Sequence, residues 1–181
     1  MTQASTHLHP KPALERLQQY GGAALLLVIL LAIPLQALLG LALGGFLFLM
    51  TALLLALLAL PVVMLITVSP GVTVDEDGLH LHPRIWRARF IPWGDVLAVK
   101  DYPLLPRREQ ETERRLLQGK RRYQAAQGKM LIVRGLPPQY RVAGYFAGEG
   151  GQPIIALTNR SHNDYERLIK RVLRHTGNKS D

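Results

Sequence analysis

Between Arg16 and Asp75 the chain carries no Asp, Glu, Lys or Arg, a run of 58 residues (17–74) made mostly of Leu, Ala, Val, Ile and Gly. A soluble fold of 181 residues has no interior large enough to remove that run from water. A bilayer-spanning helix uses about 20 apolar residues. The run is too long for one such helix and suits two. Gly40, Gly44 and Gly45 form the best breakpoint, which predicts helices over 20–39 and 46–68. Pro34 and Pro61 then fall inside the helices, where lipid-embedded helices tolerate proline. A break at Pro34-Leu35-Gln36 would leave a first helix too short to cross. A cleaved leader fits poorly too, because the apolar segment starts late, runs long and is followed at once by a second one.

The flanks orient such a hairpin. Lys11 and Arg16 precede it, Arg84, Arg87 and Arg89 follow it, and the glycine-rich connection has no basic residue. Lys and Arg near membrane ends mark the cytoplasmic side, so residues 1–19 are expected as a cytoplasmic tail, with His7 and His9 in it. The expected location is the inner cell membrane, crossed twice, with both termini cytoplasmic. The absence of cysteine is compatible with a reducing compartment.

From Asp75 onward the material changes, with 20 Lys plus Arg against 12 Asp plus Glu and a net charge of +8. The composition shift near Ser69-Pro70-Gly71 sets the start of one small domain, 70–177, followed by a short tail, 178–181. GVTV (71–74) alternates into the turn Asp75-Glu76-Asp77-Gly78, after which Leu79 and Leu81 share one face and His80 and His82 the other. After Pro83 the parity changes: Trp86, Ala88 and Phe90 are expected on the buried face, Arg87 and Arg89 opposite. Pro92 and Gly94-Asp95 turn the chain into a strand from Val96. Further strands are expected at KMLIVRG (129–135), QYRVAGYFA (139–147) and QPIIALT (152–158), with GEGG (148–151) as a turn.

The chain closes with an amphipathic helix. Ser161 is the expected cap, with Asp164 three residues on, and Gly177 suits the stop. Tyr165, Leu168, Ile169, Val172 and Leu173 recur at helical spacing as one apolar stripe for the sheet to cover.

The stretch GVTVDEDGLHLH followed by RARFIPWGDV, behind a two-helix apolar hairpin and ahead of a single closing helix, resembles the bacterial pleckstrin-homology-like (bPH) membrane proteins. The resemblance covers 21–102 and the final helix. It implies a membrane helical hairpin plus a mainly-β PH-like barrel or sandwich closed by one C-terminal helix, used for docking and not for chemistry. Trp93 is expected to anchor the core or its rim, because aromatic residues dominate small cores. Relatives that bind phosphoinositides use basic residues in the loop between the first two strands. Here that loop is Asp75-Glu76-Asp77-Gly78, which argues against headgroup capture there.

Residues 103–128 are too long and too charged for a tight strand connection. From Arg107 to Arg122 they hold seven basic and three acidic residues, and Glu111 with Arg115 has the spacing of a solvated helix. Candidate contacts for anionic lipid or a partner are Arg87, Arg89, Arg107, Arg108, Arg114, Arg115, Lys120, Arg121 and Arg122. The chain has no cysteine, no glycine-rich phosphate loop, no HExxH and no nucleophile elbow, so no enzyme, cofactor or metal is expected. His80 and His82 share a face, but two ligands alone make a weak metal site. Basic surfaces also bind nucleic acid nonspecifically. With the charge tethered beside a bilayer, that class ranks behind membrane-anchored docking of a protein, with anionic lipid as the alternative ligand.

Overall fold

Helices α1 (Pro12–Leu43) and α2 (Phe46–Thr67) pack along each other as a hairpin, and both are long and apolar enough to cross a bilayer. The computed structural model describes residues 5–105 and 125–177. The turn falls where the glycines predict it. Gly44 ends α1 with φ 62°, a left-handed conformation that favours glycine, and Gly45 precedes α2. Two other glycines let the helices approach closely. A Cβ on Gly22 would stand 2.5 Å from a methyl of Ile66, and one on Gly40 would stand 2.7 Å from Leu49. Most of the remaining leucines, among them Leu31, Leu38, Leu41, Leu47 and Leu54, face outward.

The expected tail 1–19 is corrected by two features. Ser5–His7 forms a strand, β1, and α1 starts at Pro12, eight residues before the expected start. Pro is preorganised for the first helical position. β1 pairs antiparallel with β2 (Gly71–Val74), placing Thr6 opposite Thr73 and His7 opposite Val72. The hairpin is therefore inserted between the first two strands of one sheet. That sheet continues through β3 (Gly78–His82) and β4 (Arg89–Pro92), and a single 3-10 turn at Trp93–Asp95 leads to a second sheet. The second sheet comprises β5 (Val96–Asp101), β6 (Gly128–Val133) and β7 (Ile154–Thr158), all antiparallel. Among the described residues the two sheets share no ladder, so no barrel closes.

One core lies between the sheets. Val72, Val74, Leu79, Leu81 and Ile91 from the first meet Val96, Val99, Leu131, Val133, Ile155 and Leu157 from the second. Helix α4 (Tyr165–Thr176) adds Leu168, Ile169 and Val172 to it, each large aliphatic contributing roughly 1.5–3 kcal/mol by leaving water. Leu173 of the expected stripe is partly exposed. The cap also differs from expectation: Asp164 precedes the helix in a left-handed conformation, and the Ser161 hydroxyl meets Thr158 and His162 instead.

QYRVAGYFA is a helix, α3 (Gln139–Phe146), and not a strand. Pro137 and Pro138 set up its first turn, and the buried residues Tyr140, Ala143 and Gly144 recur at helical spacing. α3 covers the opposite face of the second sheet. There Ala143 joins Met130, Ile132, Ile154, Ala156, Tyr102 and Val68, with Met64 of α2 packed alongside. The amide of Ala156 donates to the carbonyl of Val68 at 2.8 Å, joining β7 to the end of α2.

The expected face of β4 is also corrected. Ile91, opposite Leu79, is the buried residue, and Phe90, opposite His80, points outward. Trp86 lies half-buried in the connection before β4, and its indole N–H is buried with no hydrogen-bond partner among the described residues.

Candidate docking surface

The outward face of the first sheet is built by strand register. Thr6, Thr73, His80 and Phe90 stand opposite one another in turn and form one row across all four strands. Hydroxyls of Thr6 and Thr73 lie 3.1 Å apart, and the Thr73 hydroxyl also meets His82 Nε2 at 2.9 Å. The ring of Phe90 is 4.7 Å from that of His80, yet the residue remains 48% exposed. Arg87 and Arg89, two of the residues read from the sequence, are exposed immediately before Phe90. Arg89 stands opposite inward Leu81 and its charge acts on buried Tyr140, so it leaves β4 on the other side from Phe90. The patch is thus one accessible aromatic ring with hydrogen-bonding side chains beside it.

The acidic turn at one end of this face is closed on itself. Asp75 Oδ1 accepts from the amides of Asp77 and Gly78 at 3.0 and 2.9 Å, and Asp75 Oδ2 lies 2.8 Å from His80 Nε2. Partial burial pushes the Asp75 carboxyl up, but the two amides and His80 outweigh it and hold the group below its usual value. Trp93 clips the turn from behind, its indole N–H donating to the carbonyls of Glu76 and Asp75 at 3.1 and 3.3 Å. The Trp93 ring stacks on His175 of α4 at 4.8 Å and packs on the edge of the core. His80 and His82 each engage a different neighbour. Among the described residues no group of three His, Cys, Asp or Glu gathers where it could hold a metal ion.

The root of the hairpin is joined to the sheets by polar contacts, some of them buried. Arg84, between β3 and β4, donates to Glu15 Oε2 at 2.7 Å, and its amide donates to Gln19 Oε1 at 3.2 Å. The bond to Glu15 raises the Arg84 guanidinium above its usual value, against the effect of burial. Gln18 of α1 donates to the Leu65 carbonyl of α2 at 3.1 Å. His162, at the end of β7, is fully buried. Its Nε2 donates to the Pro70 carbonyl at 2.9 Å, leaving Nδ1 to accept from the Thr158 amide at 3.3 Å. Burial pushes the His162 imidazole down to about 4, and the nearby His7 and His9 act in the same direction. His7 is itself buried, its Nδ1 donating to the Asn163 carbonyl at 2.9 Å.

Sequence reasoning missed Glu15, Gln19, His7 and His162 as parts of one structure. A lone carboxylate at 15 beside Arg16 reads as a solvated helix end, and nothing local links it to position 84. Arg107, Arg108, Arg114, Arg115, Lys120, Arg121 and Arg122 lie outside the described residues. No protein-family model matches the chain, and neither a curated protein nor a solved structure does. The resemblance to bPH proteins therefore rests on the residues quoted for it and on the order of the elements.

Proposed function

We propose that the chain is a membrane-anchored docking module with a PH-like domain. α1 and α2 cross the inner membrane, both termini lie in the cytoplasm, and the domain holds a protein partner at that face as an accessory or assembly subunit. The outward leucines support the crossing, because that much apolar surface is stable only in lipid. The pairing of β1 with β2 supports an even number of crossings, since strands before and after the hairpin belong to one sheet. The excess of Lys and Arg on both flanks supports the cytoplasmic side.

The observation that carries the docking reading is exposed Phe90 on the free face of the first sheet, with exposed Arg87 three residues before it in the chain. Accessible aromatics and arginines are the side chains that dominate binding energy at protein interfaces. Their chemistry names a partner with an apolar contact centre and acidic surroundings. Headgroup binding by this domain draws on its net positive charge, but the self-bonded acidic turn at 75–78 leaves no basic cradle in that loop.

A photoreactive amino acid at position 90 of the full chain, expressed in its native membrane, tests the reading. One discrete protein adduct is expected, reduced at least tenfold when Arg87 is changed to Glu. Adducts with lipid alone, or a protein adduct insensitive to that change, would refute protein docking at this face.

A further inference from the structure

The outer side of α3 is the wrong chemistry for water. Its inner side, Tyr140, Ala143 and Gly144, is buried, and Gly144 lies so close to the chain that a Cβ there would fall on the Gln152 carbonyl oxygen. What remains outward is Arg141, Val142, Tyr145 and Phe146, with Tyr145 71% and Phe146 40% exposed. The two rings meet edge to face at 6.0 Å. Together with Leu60 of α2 they line an open cleft of about 500 Å³.

The position of this cleft along α2 decides what fills it. Counting from Phe46 at 1.5 Å per residue, a hydrocarbon layer of about 30 Å ends near Ile66. Ile66 is also where Gly22 of α1 packs against α2. Leu60 lies six residues earlier, roughly 9 Å inside that boundary. Amphipathic helices that lie in a membrane interface bury their apolar side by about 5–10 Å. Tyrosine favours that level and arginine reaches from it to phosphate. Arg141 makes no ion pair with another described residue, and the nearby Glu149 is already held by Lys100 at 3.1 Å.

We infer that α3 is an interfacial lipid-binding helix: Tyr145 and Phe146 enter the leaflet beside α2, and the cleft takes an acyl chain of an anionic phospholipid whose phosphate meets Arg141. The inference rests on the reading of α1 and α2 as a membrane hairpin. It gives the domain a second attachment to the bilayer, on the side opposite the free sheet face.

The absence of cysteine makes the test direct. Tyr145→Cys, Phe146→Cys, Leu54→Cys and His82→Cys would each carry a nitroxide in the full chain, reconstituted in vesicles of phosphatidylethanolamine and phosphatidylglycerol. Collision rates with oxygen and with a water-soluble nickel chelate are then compared. Positions 145 and 146 are expected to resemble position 54, with an oxygen-to-nickel ratio at least fivefold above that at position 82. Positions 145 and 146 matching 82 while 54 reads as lipid would overturn the inference alone. Position 54 reading as water would overturn the hairpin as well. If 145 and 146 become shielded from both reagents only in native membranes, a protein covers α3 and the inference fails. The phosphate contact has its own readout: Arg141→Gln should retain at least threefold less phosphatidylglycerol in native mass spectrometry of the full chain. Equal retention would remove Arg141 from the site.

Discussion

The two sheets of this domain share one core but differ on their other sides. In the first, inward Val72, Val74, Leu79, Leu81 and Ile91 alternate with outward Thr73, His80 and Phe90, the pattern of a sheet with one wet face. In the second, all five residues of β7 are buried, because Ile155 and Leu157 face the common core while Ile154 and Ala156 meet α3 and the end of α2. A strand covered on both sides reads as a continuous apolar run, and IIALT is one. The outer side of the second sheet is covered by α3 and the end of α2. The outer side of the first sheet, which the hairpin enters between β1 and β2, stays open. The proposed docking reading gives these two faces separate tasks.

The covered face is the more easily broken. Gly144→Val would place a branched side chain against the backbone at Gln152, which cannot move without displacing β7. Overpacking of this kind, with loss of the α3 seat, is expected to cost at least about 4 kcal/mol. The thermal midpoint of the full chain in detergent measures it. An unchanged midpoint would mean that α3 does not depend on this close approach.

Next in size is the tie through His162. Its folded value of about 4 lies below the ordinary 6.5, so the unfolded chain takes up a proton first as the pH falls. The neutral group's contribution is fully present above pH 6.5 and is lost between 6.5 and 4, a difference of roughly 3 kcal/mol. Stability of the full chain should fall across that window, and His162→Asn should flatten the slope. A slope that survives this change belongs to other groups.

Glu15 and Arg84 test the same junction from the helix side. Glu15 is buried and Arg84 is partly open to solvent, so losing either partner is expected to cost about 2 kcal/mol, below the range for fully buried pairs. A double-mutant cycle with Glu15→Gln and Arg84→Gln should show coupling above about 1 kcal/mol. Additive effects would mean that the two side chains do not act as a pair.

The hairpin was legible in the sequence because 58 uncharged residues admit few folds and Gly44-Gly45 marks the turn. β2, β3 and the turn between them were legible by alternation. α4 was legible by its stripe, although Asp164 and not Ser161 precedes it. What stayed hidden depends on partners distant in sequence. β1 is three residues long and gains its place only from β2. α3 resembled a strand because Tyr145 and Phe146 lie outward and blur the helical period. Phe90 was expected inside because large aromatics usually are, while the register places Ile91 there. Of the candidate contact residues, Arg87 is exposed just before β4, Arg89 leaves β4 on the side opposite the exposed ring, and the other seven lie beyond the described residues.

The smallest expected effect on stability belongs to the free face, and it is the most informative about function. Phe90 keeps nearly half its surface in water, and its ring meets His80 and lies over Gly78. Truncation there opens no cavity, so Phe90→Ala should change stability by no more than about 0.5 kcal/mol. Ile154→Ala, on the covered face of the other sheet, should cost about 3 kcal/mol. If the free face exists to hold a partner, the order reverses for binding: Phe90→Ala should reduce the affinity for the adduct protein at least tenfold in a pull-down from native membranes, while a conservative Ile154→Val leaves it unchanged. A Phe90→Ala protein that is as stable as the parent and binds as tightly would show that the exposed ring serves neither packing nor docking, and the proposed division of labour between the sheets would fail.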